Sequence, residues 1–332
     1  METKIAFFDA KPYDITSFNK HNQHFGFDIH YIDSHLNKDN VILANGFDVV
    51  CGFVNAVINA EVVDQLVAEG VKLIALRSAG YNNVDLNAAK GRIRVVRVPA
   101  YSPYAVAEHT LALMLTLNRK THKAYSRTRD GNFSLQGLMG FDMNGKTAGI
   151  IGTGKIAKIL IRTLRALGMN VQAYDVYPDL AFAEEAGITY TTLDDLYSHS
   201  DIISLHAPLT KETEYMINHD SIGKMKEGVM IINTGRGKLI HTDALIEGLK
   251  TKKIGSAGLD VYEEEGDYFY EDRSDFIMDD DMLARLLSFN NVVVTSHQAF
   301  FTKEALANIA DTTLQNIQDF VDGKELKNEV KV

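Results

Sequence analysis

The chain's 332 residues are enough for about two domains of ordinary size. It is 45% hydrophobic and 23% charged with a net charge of −10, a globular composition that argues against non-specific nucleic-acid binding. Its single cysteine, Cys51, excludes an intrachain disulfide, and no apolar run reaches the roughly 18 residues of a membrane span. The N-terminus, Met1-Glu-Thr-Lys-Ile5, lacks a signal peptide's basic and apolar regions, so a cytoplasmic protein with no membrane partner is expected.

Over the first hundred residues, short apolar runs at 5–8, 29–32, 49–54, 73–76 and 95–98 alternate with helical patterns. This predicts a parallel sheet flanked by helices. Cys51 lies inside the third run and reads as packing rather than as a nucleophile. In Ile74-Ala-Leu-Arg-Ser-Ala-Gly-Tyr-Asn-Asn83 a strand enters a small-residue turn whose amides can cradle an anion. From 102 to about 127 the pattern is helical and strongly apolar, with Pro103 in the first turn. One long helix leading into a second domain is expected there.

Lys146-Thr-Ala-Gly-Ile-Ile-Gly-Thr-Gly-Lys-Ile-Ala157 then reads as a buried strand that stops at glycines and restarts as a helix. Gly152 and Gly154 permit a tight turn and close backbone approach, and the helix N-terminus presents free N–H groups to an anion. A second strand ends at Asp175, about 20 residues on, where a carboxylate holds a ribose diol and repels a 2′-phosphate. The spacing favours NAD. Further strands are expected at 202–205, 229–233, 254–259 and 292–295, with a helix at 242–250. Together these make a doubly wound nucleotide domain over 102–299, inserted into a first domain to which a final helix at 303–321 returns. The acidic stretch 263–281 fits neither strand nor helix and reads mostly as a solvated loop.

In open α/β sheets, ligands gather beyond the carboxyl ends of the strands. Arg236, Glu265 and His297 all follow predicted strands of the second domain. With a nicotinamide cofactor they supply what hydride transfer to a carbonyl requires. Arg236 can grip a substrate carboxylate with two parallel hydrogen bonds, His297 can protonate the carbonyl oxygen, and Glu265 can favour the imidazolium.

Gly152-Thr-Gly-Lys-Ile-Ala157, Asn233-Thr-Gly-Arg-Gly237, Gly258-Leu-Asp-Val-Tyr-Glu263 and Ser296-His-Gln-Ala-Phe300 resemble the ordered motifs of D-isomer-specific 2-hydroxyacid dehydrogenases. Val98-Pro-Ala-Tyr-Ser-Pro103, Asn118-Arg119, Arg127-Thr-Arg-Asp-Gly-Asn-Phe-Ser-Leu-Gln-Gly137 and Leu314-Gln-Asn316 extend the likeness across nearly the whole chain. The resemblance implies two doubly wound parallel-sheet α/β domains: a flavodoxin-like substrate domain (1–101 and 300–332) and a Rossmann NAD-binding domain (102–299). It implies reversible, NAD-dependent reduction of pyruvate to D-lactate without a metal, in a homo-oligomer, either dimer or tetramer. Arg236, Glu265 and His297 take the substrate-binding, pKa-tuning and acid/base roles. Cofactor positions are Gly152, Gly154, Lys155, Ile156, Asp175, Ala207, Pro208, Thr234, Gly235, Arg236 and Asp260. Ala79 and Gly80 match the loop that meets the substrate carboxylate, and Tyr101 and Phe300 match residues bordering the substrate pocket. Two departures are mild: Ala157 replaces the usual third glycine, and Ser296 stands where many relatives have proline. Two alternatives stay open: a relative acting on another 2-keto acid (hydroxypyruvate, glyoxylate or a branched one), and an NAD-sensing corepressor of the same fold.

Overall fold

The computed structural model describes residues 3–331. The chain forms two compact units, 1–102 with 301–332, and 103–300. The boundaries expected at 101/102 and 299/300 thus fall at 102/103 and 300/301. Phe300 goes with the second unit because the turn just before it is tied to Asp260.

The first unit begins with β1 (Lys4–Phe8), α1 (Pro12–Asn22), β2 (Asp28–Ile32), β3 (Val49–Gly52), α2 (Ala60–Ala68), β4 (Leu73–Leu76), α3 (Leu86–Ala89) and β5 (Arg94–Val96). Among the described residues its strands form one five-stranded sheet in the order β2-β1-β3-β4-β5, every pair parallel. That is the flavodoxin-like order. Every residue of β3 and β4 is buried, which is why these strands read as continuous apolar runs rather than alternating ones.

The second unit comprises α4 (Pro103–Arg119), α5 (Thr121–Arg129), β6 (Thr147–Ile151), α6 (Lys155–Ala166), β7 (Asn170–Tyr174), α7 (Leu180–Ala186), β8 (Thr189–Tyr190) and α8 (Leu193–His199). It continues through β9 (Ile202–Leu205), α9 (His219–Lys224), β10 (Val229–Asn233), α10 (Thr242–Thr251), β11 (Ile254–Leu259), α11 (Asp281–Ser288) and β12 (Val292–Val294). Its parallel sheet, seven-stranded among the described residues, runs β12-β11-β10-β9-β6-β7-β8. The order reverses direction between β6 and β9, a doubly wound arrangement whose crevice at that point is where dinucleotides bind. Helix α6 buries Ala157, Leu160, Ile161 and Leu164, the i, i+3, i+4, i+7 stripe of a helix lying on a sheet. The chain ends with α12 (Lys303–Val321), which packs on α1 and β4 of the first unit through Ala305, Ile309, Ala310, Thr313, Leu314 and Ile317.

One expectation is corrected. The single long helix from 102 to about 127 is two helices, broken where Lys120 takes a left-handed φ of 50°. Lys120 Nζ donates to the carbonyls of Gly137 and Met139, and Asn118 exchanges side-chain bonds with the backbone of Phe141. These polar anchors turn the chain where helix-forming residues alone would continue it. The acidic stretch is exposed over most of its length, with Phe269 buried, Glu265 beginning a short 3-10 turn and α11 starting at Asp281.

Candidate active site

At the end of β6, Gly152 has φ of +89°, and a Cβ there would lie 2.7 Å from the backbone of His206 and Ala207. Only glycine lets the β6 turn close onto the chain leaving β9, which brings Gly152 beside Ala207. Gly154 caps α6, and open space surrounds the position its Cβ would take. The first turn of α6, with Lys155 and Ile156, carries N–H groups that have no intrahelical acceptor. At the end of β7, Asp175 Oδ2 accepts from Thr153 N (2.6 Å) and Thr153 Oγ1 (2.9 Å), and Oδ1 accepts from Tyr177 N (2.9 Å). Burial opposes ionisation of Asp175, but these donors outweigh it and hold the carboxyl below its ordinary pKa of 3.8. A cavity of about 780 Å³, lined by Tyr174, Asp175, Pro178 and residues 190–194, lies alongside. A phosphate-ready helix end, an ionised acid and an adjoining cavity together fit a dinucleotide whose ribose is hydrogen-bonded rather than phosphorylated.

The catalytic candidates sit on loops at the carboxyl ends of β10, β11 and β12. After β10, the Asn233 side chain donates to Arg236 O (2.9 Å) and accepts from Gly235 N (3.0 Å), which ties the Thr234-Gly235-Arg236 loop into a fixed turn. Arg236 Nη1 donates to Gly235 O (2.8 Å), and among the described residues no carboxylate pairs with its guanidinium. A half-buried cation without an acid is suited to receive an anionic ligand. At Gly237 a Cβ would lie 2.0 Å from Tyr262 O, so glycine brings this loop against the chain leaving β11.

On that chain Glu265 Oε2 accepts from Tyr262 N (3.0 Å), and its Oε1 lies 2.8 Å from His297 Nδ1. A carboxylate can only accept, so Nδ1 carries the proton of that bond and Nε2 is left for exchange with a ligand. Both side chains are half-buried. His297 has φ of +52°, a left-handed conformation that costs about 1–3 kcal/mol outside glycine and persists only when its surroundings enforce it. Here they do: His297 N donates to Asp260 O (2.7 Å), and Tyr270 Oη donates to His297 O (3.1 Å). The fully buried Asp260 carboxylate accepts from Thr295 Oγ1 (2.6 Å), Gln298 N (2.9 Å) and Ala299 N (2.8 Å). In this structure Asp260 therefore organises the turn around His297, beyond the cofactor position expected for it.

In the first unit, Ala79 and Gly80 follow β4. Arg97 Nη1 donates to Ala79 O (2.7 Å) and Ser78 Oγ to Gly80 O (2.8 Å). With those carbonyls engaged, the turn is rigid, and among the described residues neither Ala79 N–H nor Gly80 N–H has an acceptor. Tyr101 O accepts from Asn308 on α12 (2.6 Å). Pro208 is exposed and Phe300 is buried in the second unit. Cys51 is buried, and burial pushes its thiol up to about 12, out of reach of nucleophilic chemistry at neutral pH.

Sequence reasoning passed over His109, Thr110 and His206. His109 Nε2 lies 3.1 Å from Thr295 Oγ1, and Thr110 Oγ1 lies 2.8 Å from Thr234 Oγ1, so α4 reaches two of the candidate loops. His206 Nε2 bonds Ser204 Oγ (2.9 Å), and burial lowers its pKa to about 4. Periodicity marks α4 only as apolar and helical, and the contacts of His109 and Thr110 span more than a hundred residues, so they have no local signal.

The family model for the NAD-binding domain of D-isomer specific 2-hydroxyacid dehydrogenases matches residues 111–299. The chain is 51% identical over 328 residues to the D-lactate dehydrogenase of Escherichia coli, covering 98% of this chain and 99% of that one. Among solved structures, the apo-structure of D-lactate dehydrogenase from Escherichia coli is similar with a TM-score of 0.91 and 49% identity, covering 99% of this chain and 100% of that chain. The pyruvate reductase of Chlamydomonas reinhardtii has a TM-score of 0.93 and 45% identity, covering 98% of both chains.

Proposed function

The chain belongs to the D-isomer specific 2-hydroxyacid dehydrogenase family, and from that membership we propose that it reduces pyruvate reversibly to D-lactate with NADH. NAD is its cofactor. The observation that carries the reading of the chemistry is the 2.8 Å pair of Glu265 and His297, at the same sheet end as Arg236, whose guanidinium has no carboxylate partner among the described residues.

When bound, NADH supplies the hydride that reduces the carbonyl carbon. The residues proposed to hold it are the Gly152–Ile156 turn and helix end, Asp175 at the ribose, and Ala207, Pro208, Thr234, Gly235 and Asp260. Arg236 holds the substrate carboxylate through its planar guanidinium and is proposed to border the cofactor as well. By the family resemblance, Ala79 and Gly80 match the loop whose amides meet a substrate carboxylate, and Tyr101 and Phe300 match residues that border the substrate pocket. His297 delivers a proton from Nε2 to the carbonyl oxygen as the carbon is reduced, so the ketone gains one hydride and one proton and becomes the alcohol. Glu265 keeps the ring oriented and stabilises its cationic form before the proton leaves. In the lactate direction each transfer reverses, and neutral His297 accepts the hydroxyl proton.

We further propose a cytoplasmic homo-oligomer. The buried, reduced Cys51 suits a reducing compartment, and among the described residues no helix is long and apolar enough to cross a membrane. Phe133, Leu135 and Met139, each more than three-quarters exposed, lie close together in the segment after α5 and suit coverage by a second copy.

The test is NADH oxidation with pyruvate by the wild type and by His297→Ala, with the product resolved by enantiomer. D-Lactate is expected. His297→Ala should lose about 10²- to 10⁴-fold in kcat while still binding NADH. Absence of wild-type turnover, or a higher kcat/KM for hydroxypyruvate, glyoxylate or a branched keto acid, rejects the pyruvate assignment.

A further inference from the structure

We propose that His109 on α4 is a positioning residue for the reaction, holding the loop that presents His297. This rests on the reading of His297 as the proton donor. Thr295 Oγ1 lies 2.6 Å from Asp260 Oδ1 and donates its only proton there. The same oxygen must therefore accept at its other contact, 3.1 Å away, which makes His109 Nε2 the protonated nitrogen. Nε2 itself also lies 3.4 Å from Asp260 Oδ1. Asp260 in turn receives the amides of Gln298 and Ala299, so the chain on both sides of His297 is fastened to one carboxylate, and that carboxylate to α4.

The next residue does the same for the substrate-binding loop. Thr110 donates to Val106 O (2.7 Å), so at the 2.8 Å contact between the two hydroxyls it is Thr234 that donates and Thr110 that accepts. Consecutive residues of one rigid helix thus anchor the loop of His297 and the loop of Arg236. Because His297 holds a left-handed φ, its turn depends on outside restraints to aim the imidazole. His109 supplies one of them, through Thr295.

The test uses the full chain with wild-type, His109→Ala, His109→Gln and Thr295→Val proteins. A misplacement of about 1 Å can cost about 100-fold in rate, so His109→Ala should lower kcat by about 10- to 100-fold. KM for pyruvate and Kd for NADH should stay within about twofold, because neither Arg236 nor the α6 end is disturbed. His109→Gln, whose amide N–H can replace that of Nε2, should recover most of kcat. Thr295→Val keeps the volume and removes the hydroxyl, and should reproduce the kcat loss. Wild-type kcat in His109→Ala overturns the proposal, as does equal impairment of His109→Ala and His109→Gln with NADH affinity lost, which marks a packing role. If His109→Ala does not fold, wild-type kcat in Thr295→Val overturns it. A wild type without turnover removes the functional reading and this inference with it, whereas normal wild-type turnover with unaltered variants removes this inference alone.

Discussion

At the scale of single residues, charge and donor geometry decide what each group can do. Asp175 is held ionised by the donors around it, and an anion there repels a 2′-phosphate. NADH should be preferred over NADPH, and Asp175→Ala should narrow that preference at least about tenfold by weakening NADH and admitting NADPH. Equal kcat/KM for both cofactors in the wild type would remove the assignment. Arg236 is a fork and lysine is a point charge, so Arg236→Lys should raise KM for pyruvate by about 10-fold or more with little change in Kd for NADH. A collapse of NADH affinity with unchanged KM would place Arg236 at the cofactor alone. His206 supplies a pH dependence of stability. Its ring is half-buried and bonded to Ser204, and burial lowers its pKa to about 4, whereas in the unfolded chain it takes a proton near the ordinary 6.5. The folded pKa is depressed, so the contribution is fully present above about pH 6.5 and is lost as pH falls toward 4. Urea unfolding from pH 7 to 4.5 should show wild type losing about 1–2 kcal/mol more than His206→Gln. Parallel curves would show that the ring meets solvent freely.

At the scale of elements, the nucleotide-facing end of the second sheet depends on how closely β6 and β9 finish together. Gly152→Ala would place a methyl 2.7 Å from backbone atoms of His206 and Ala207, and backbone yields less readily than a side chain. It would also hold alanine at a φ of +89°. Stability should fall by roughly 2 kcal/mol or more, and Kd for NADH should rise as α6 shifts away from its place. Fluorescence titration with NADH and a urea melt measure the two effects, and wild-type values for both would show that the turn is plastic. The paired helices α4 and α5 illustrate a different control. The helical pattern runs on past Arg119, although the apolar stripe ends there, and Lys120 and Asn118 find carbonyl and amide partners in the 137–141 segment that set the break.

At the scale of the whole molecule, a net charge of −10 favours a solvated surface, yet the segment after α5 exposes Phe133, Leu135 and Met139 within seven residues of chain. Burying three such side chains at an interface offers roughly 1.5–3 kcal/mol each, before association costs are subtracted. Sedimentation velocity should therefore report more than one chain per particle. Phe133→Asp with Leu135→Asp should drive the particle to monomer at micromolar concentration. A wild type that sediments as a monomer would refute the oligomer, and an assembled double variant would move its interface elsewhere.

Sequence alone determined the features that local physics dictates. Apolar runs bounded by glycines marked the strands, and the 3.6-residue stripe of α12 was legible from Lys303 to Val321 because each buried position repeats within its own helix. The glycines of the β6 turn and the acid at the end of β7 were visible for the same reason: a dinucleotide fold needs those residue types at a near-fixed separation. Arg236, Glu265 and His297 could be named as candidates because each follows a strand, but nothing local says that residues 265 and 297 meet at 2.8 Å. That pairing depends on β11 and β12 being neighbours in register, a long-range fact. The break at Lys120, the short β8, the left-handed turn at His297 and the convergence of His109, Thr295 and Asp260 were decided only in three dimensions. Each exists because polar groups far apart in the chain satisfy one another, and the hydrogen bonds that settle such choices have no sequence period.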